Sequence, residues 1–192
     1  MALLNLVSLP LALLLAGVGA SRMPKPPADD GKTVVEQLSP EEVRARVEGY
    51  LGSIDTPIAA SRWRALGPQA TKLLAEIAQG DGLPTRRARA LDGLAAVGGH
   101  GAAELLTKFA QKEDEPQAVQ LAAIRGASRL LPSGKLWAAL KPVLESAKDL
   151  HVRAQAADAL AHHGRCAAVK AQAAREKDEE REAFGRALER CK

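Results

Sequence analysis

The sequence predicts an all-α chain, an α/α solenoid of about four helical hairpins preceded by a capping helix. Composition points there first. Hydrophobic residues make up 46% of the 192, yet the aromatics are only two Trp, two Phe and one Tyr, so Ala, Leu and Val must fill the core. Small side chains let helix backbones approach closely, and Ala and Leu lead the scale of helix propensity. Alternation of β-branched or aromatic residues with polar ones, the signature of a strand, is absent. The third observation is an internal repeat with regular Pro and Gly punctuation.

In chain order, residues 1–20 (MALLNLVSLPLALLLAGVGA) carry no charge, and Val18, Gly19 and Ala20 place small residues where a signal peptidase reads. A signal peptide cleaved after Ala20 is expected, and with it a periplasmic or extracellular protein. A retained anchor is the competing reading, although Asn5, Ser8 and Pro10 interrupt the span. Residues 21–38, rich in Pro at the start, read as a flexible linker. The folded domain is expected over 39–192, opening with a helix over 39–52 in which Ser39 and Glu42 form a capping box.

Pro40, Pro57, Pro84 and Pro116 stand where the first helix of a unit would begin, a position at which the missing amide costs no hydrogen bond. Ser39 and Thr56 precede two of them as N-caps. Asp81, Asp114, Asp149 and Asp178 recur just ahead of helix starts, where the macrodipole favours a carboxylate. Second helices carry apolar residues at spacings of three and four: Leu73, Leu74 and Ile77; Leu105, Leu106 and Phe109; Leu136, Leu140 and Leu144. Pro142 inside the last of these predicts a kink.

Residues 86–98 (RRARALDGLAAVG) and 152–164 (VRAQAADALAHHG) align without a gap, sharing Arg87/Arg153, Asp92/Asp158, Leu94/Leu160 and Gly98/Gly164. A degenerate copy, 119–131, sits midway with Gln120 in the Arg position, and an earlier one, 58–67, places Trp63 at the Leu position and ends on Gly67. The residues Asp149, Val152, Arg153, Ala156, Ala157, Ala159, Leu160 and Gly164, with weaker copies around Arg87 and Val119, resemble the HEAT-repeat family, in particular the short repeats also found in phycobilisome lyases. The resemblance implies stacked helical hairpins that bind proteins, structural roles for Asp149, Arg153 and Arg87, and a concave side lined by second helices. Gln69, Lys72, Glu104, Lys108 and Lys141 would then be the candidate contacts.

Cys166 and Cys191 lie symmetrically about the charged break at 177–180. Antiparallel helices joined there bring the thiols level, so a disulfide pinning a terminal helix is expected in an oxidising compartment. Asp158, His162 and Cys166 have helical spacing, but Gly164 breaks the face and no zinc ligand set is complete. No metal, cofactor or catalytic residue is expected. Arg62, Arg64, Arg86, Arg87 and Arg89 cluster in first helices, yet a net charge of +4 and scarce aromatics weigh against nucleic acid. The expected function is a non-enzymatic scaffold of the cell envelope binding a protein partner. A lyase-like or enzyme-accessory module and a HEAT-like nucleic-acid binder are the alternatives.

Overall fold

The capping box forms: the Glu42 amide donates to Ser39 Oγ at 3.3 Å and the Ser39 amide to Glu42 Oε2 at 2.8 Å, with Pro40 at the first helical position. This opens α1 (Pro40–Gly52), whose Val43, Val47 and Leu51, one turn apart, form its buried stripe. The computed structural model describes residues 35, 37–53 and 56–192. The expected signal segment and nearly all of the expected linker lie outside them. α2 (Ala60–Ala65) follows, then α3 (Gln69–Gln79), α4 (Pro84–Val97), α5 (Ala102–Gln111), α6 (Gln117–Leu130), α7 (Ser133–Ser146) and α8 (Leu150–His162). The chain ends with α9 (Cys166–Ala173), α10 (Asp178–Arg181), a 3-10 turn (Glu182–Phe184) and α11 (Gly185–Glu189). Among the described residues there is no strand.

The buried faces differ between the two kinds of helix. α3 buries one stripe, Ala70, Leu74 and Ala78, whereas α4 and α6 are buried more broadly, with small residues among their contacts. The reason is position. α4 packs against α2 and α3 on one side and α6 on the other, and α6 packs against α4, α5 and α8. Close approach needs glycine inside these helices. A Cβ on Gly93 would lie 2.9 Å from the Trp63 ring, and one on Gly126 would lie 2.7 Å from a Leu106 methyl and 3.0 Å from Ala95 Cβ. Gly67, Gly98 and Gly164 end their helices at φ of 70°, 72° and 78°, the left-handed region that L side chains avoid.

Several expectations are corrected. α2 begins at Ala60, three residues after Pro57, and Thr56 caps nothing: the N-cap is Ala59, without a side-chain bond, because the chain first runs extended to seat Ile58 against the core. Pro116 is the N-cap of α6 rather than its first helical residue. The single terminal helix is instead α10, the 3-10 turn and α11. This break turns Phe184 fully into the core, with helix-weakening Gly185 directly after it. Pro142 does lie inside α7, which runs unbroken from Ser133 to Ser146.

Candidate functional site

Each second helix also packs against the first helix of the next unit: α3 with α4, α5 with α6, α7 with α8. A side chain crosses each seam and caps the end of the earlier helix. Arg87 Nε donates to the Ala78 carbonyl at 2.8 Å, Gln120 Nε2 to that of Lys112 at 2.8 Å, and Arg153 Nη1 to that of Ala147 at 2.8 Å. Arg181 Nε repeats the bond to the Ala173 carbonyl of α9 at 3.0 Å. These carbonyls have no partner within their own helix, and a cation there also meets the negative end of the macrodipole.

Two of these guanidiniums are neutralised by buried carboxylates. Arg87 pairs with Glu115 at 2.7 Å, and Lys112 joins it at 2.6 Å. Arg153 holds Glu176 with Nε at 3.0 Å and Nη2 at 2.9 Å, a two-pronged grip, and Gln172 adds a bond at 2.9 Å. Burial alone would raise the Glu115 pKa, but the bonds from Lys112 and Arg87 outweigh it and hold the carboxyl below its ordinary range. For Glu176 the Arg153 bond is the largest influence, and the pKa is again lowered. Asp149 caps α8 through the amides of His151 and Val152 and accepts from Gln117 of the preceding unit at 2.8 Å. Asp149, Arg153 and Arg87 thus sit in the seams and serve packing.

The residues expected as contacts are exposed: Gln69 and Lys72 on α3, Glu104 and Lys108 on α5, Lys141 on α7. Lys72 and Lys141 each lie near a glutamate one turn on, Glu76 and Glu145, at 4.0 and 3.9 Å. Glu104 and Lys108 alone of the five border an open depression between α5 and α7, of about 780 Å³ and floored by Ala138 and Ala139. The five do not converge on one place. Cys166 and Cys191 do, forming a disulfide with Cα atoms 5.3 Å apart that ties α9 to the chain end.

A different cleft, on the first helices, gathers charge and apolar surface together. It spans about 730 Å³ between the end of α1, α2, α4 and α6. Tyr50, Ile58, Ala95 and Ala96 contribute apolar surface, Trp63 lies beneath, and Arg64, Arg89, Arg125, Arg129 and Asp92 supply the charges. Arg89 donates to the Leu51 carbonyl at 3.0 Å, and Arg64 too is engaged within the fold. Arg125 reaches Asp92 at 3.2 Å and 3.4 Å. Arg129 is exposed and makes no hydrogen bond or ion pair among the described residues. Sequence reasoning singled out Arg64 and Arg89 but missed Arg125 and Arg129, and missed Glu115 and Glu176 as partners of the repeat arginines. The period held one signal: Asp92 and Arg125 are 33 residues apart, at equivalent positions of successive units.

Fold and cleft together define an all-helical protein with a cationic, partly apolar cleft. Among the described residues no three His, Cys, Asp or Glu gather to hold a metal, and no helix is long and apolar enough to cross a membrane. Neither models of known protein families nor curated proteins nor solved structures match this chain.

Proposed function

We propose that this chain is an exported, non-enzymatic interaction module, a short α/α solenoid of the HEAT type that binds a protein partner outside the cytoplasm. The observation that carries the reading is the repeated seam: Arg87, Gln120 and Arg153, at steps of 33 residues, make the same bond to the end of the preceding helix. A chain that spends its buried polar groups on joining unit to unit is built to hold a surface in shape. The disulfide supports export, since such bonds persist in oxidising compartments. The uncharged segment 1–20 supports it from the other end.

The first-helix cleft is the working surface in this reading, in preference to the scattered polar residues of the second helices. It brings four arginines together with partly exposed apolar side chains. A photo-crosslinking residue at Ala96, in the cleft wall, is expected to give one discrete protein adduct in the native host, whereas the same residue at Ala171 on α9 gives none. Adducts at neither position, or equally at both, would sink the reading. Intact mass with and without reduction checks export: a chain beginning at Ser21, with both thiols protected until reduced, is expected.

A further inference from the structure

We infer that the first-helix cleft takes an extended acidic peptide bearing at least one apolar side chain, with Arg125 and Arg129 receiving its carboxylates. The inference rests on the interaction-module reading and specifies the partner of that same cleft. Among the described residues, four arginines against one aspartate give its walls a positive balance. Two of the four, Arg64 and Arg89, are already engaged within the fold, so the groups placed to meet a ligand are on α6. Arg129 is exposed there. Arg125 is half-exposed, at 40% for its side chain, and its contacts with Asp92 exceed the 2.7–2.9 Å usual for a bond between such charges.

An internal comparison sharpens the point. The equivalent aspartate of the last unit, Asp158, accepts from Arg190 at 2.7 Å, a closed version of the same contact near the chain end. The loose copy faces the cleft. A guanidinium held this weakly at the surface exchanges one carboxylate for another at little cost, because water already screens an exposed ion pair. Once displaced, Asp92 is left as an acceptor for a backbone amide of the incoming chain, a role that a bare polyphosphate strand offers little to fill.

The apolar part of the cleft separates a peptide from nucleic acid. Trp63 is only 4% exposed, with its ring against Gly93, and Tyr50 meets it edge-on with centroids 5.1 Å apart. The tryptophan face is therefore committed to the core, and the stacking platform that single strands need is missing from it. Ile58, Ala96 and Leu130, each partly exposed, instead offer a patch suited to an aliphatic side chain. The volume of about 730 Å³ suits a short stretch of chain, within the range of ligand pockets generally.

The test uses the full-length protein purified with its disulfide intact and three fluorescent probes. One is a peptide alternating Glu with Leu, the second carries Lys in place of Glu, and the third is a single-stranded oligonucleotide. The acidic peptide is expected to bind with an affinity that falls as salt rises, and Arg129→Glu to weaken it roughly tenfold or more. Arg125→Ala is expected to weaken it less, since it removes one positive charge where Arg129→Glu reverses one. Lys170→Glu on α9, the same change of charge far from the cleft, is expected to leave it unchanged. Equal binding of acidic and basic peptides, tighter binding of the oligonucleotide, or an equal loss in Lys170→Glu would each overturn the inference. If Ala96 captures a protein while the acidic peptide fails to bind, the peptide chemistry falls and the interaction module stands; failure of the crosslink removes the module itself.

Discussion

At the scale of single residues, glycine does opposite things in different helices. Gly49 lies on the exposed face of α1, where an added Cβ would meet nothing within 4 Å. Gly49→Ala is therefore expected to stabilise the protein by roughly 0.5–1 kcal/mol, through helix propensity and a less flexible unfolded chain. Gly93 is buried in α4 with the Trp63 ring where its Cβ would go. A rigid aromatic ring only 4% exposed cannot yield as a flexible tip would. Overpacking of about 1–3 kcal/mol then outweighs the propensity gain. Gly93→Ala should lower the chemical-denaturation midpoint while Gly49→Ala raises it, and matching signs would refute the account. Glu115 and Glu176, the two buried carboxylates of the seams, contribute to the pH dependence of stability, as does the capping Asp149. Both glutamates have folded pKa values below the ordinary carboxyl value of 4.5, so their contribution is present above that pH and disappears as pH falls through the lowered folded values. Denaturation midpoints should drop below about pH 4.5, and Glu176→Gln should show a lower midpoint at neutral pH with a shallower acid decline.

At the scale of helices, the seam explains why the third unit departs from the repeat. Where Arg87 and Arg153 have carboxylate partners, the uncharged Gln120 needs none, and the position equivalent to Glu115 is Lys148, which turns instead to Glu113 at 2.9 Å. Both changes occur together. Gln120→Arg would bury a cation with no acid beside it, and a loss of roughly 1–3 kcal/mol is expected. Adding Lys148→Glu should recover stability, although Lys148→Glu alone should not help. Independent effects in that double-mutant cycle would show the positions are not equivalent. The terminal elements depend on a different tie. α10, the 3-10 turn and α11 are too short to persist alone, and the disulfide closes a loop spanning 25 residues, worth about 3 kcal/mol by the loop-entropy model. Reduction should expose the amides of α9 to α11 to hydrogen exchange while α4 to α6 stay protected. Uniform exposure would mean that the bond supports the whole protein.

At the scale of the whole molecule, what was legible in the sequence is what repeats. Helical periodicity, the capping box at Ser39 and the glycines closing the repeat copies, Gly67, Gly98 and Gly164, follow from local rules, and all appear. The cysteine pair was legible because the sequence holds only two cysteines, although the expected break between them at 177–180 is occupied by α10. The cleft was not, because it is assembled by α2, α4 and α6 lying side by side, and a pattern within one helix says nothing about its neighbour's surface. Glu115 and Glu176 were hidden for the same reason, standing 28 and 23 residues from the arginines they meet. The packing itself now gives a test of the proposed solenoid. α8 packs on α6, α7, α9, the 3-10 turn and α11, and Leu160 in its last turn is fully buried. Leu160→Ala is expected to cost roughly 2–5 kcal/mol. In a stack of units coupled mainly to their neighbours, that loss stays local: amides of α7 to α11 should exchange faster, those of α1 to α4 much less. A single cooperative core would instead pass the cost to every slowly exchanging amide alike. Native-state hydrogen exchange of this one variant therefore separates the two architectures, and a uniform rise in exchange would remove the solenoid together with the function proposed on it.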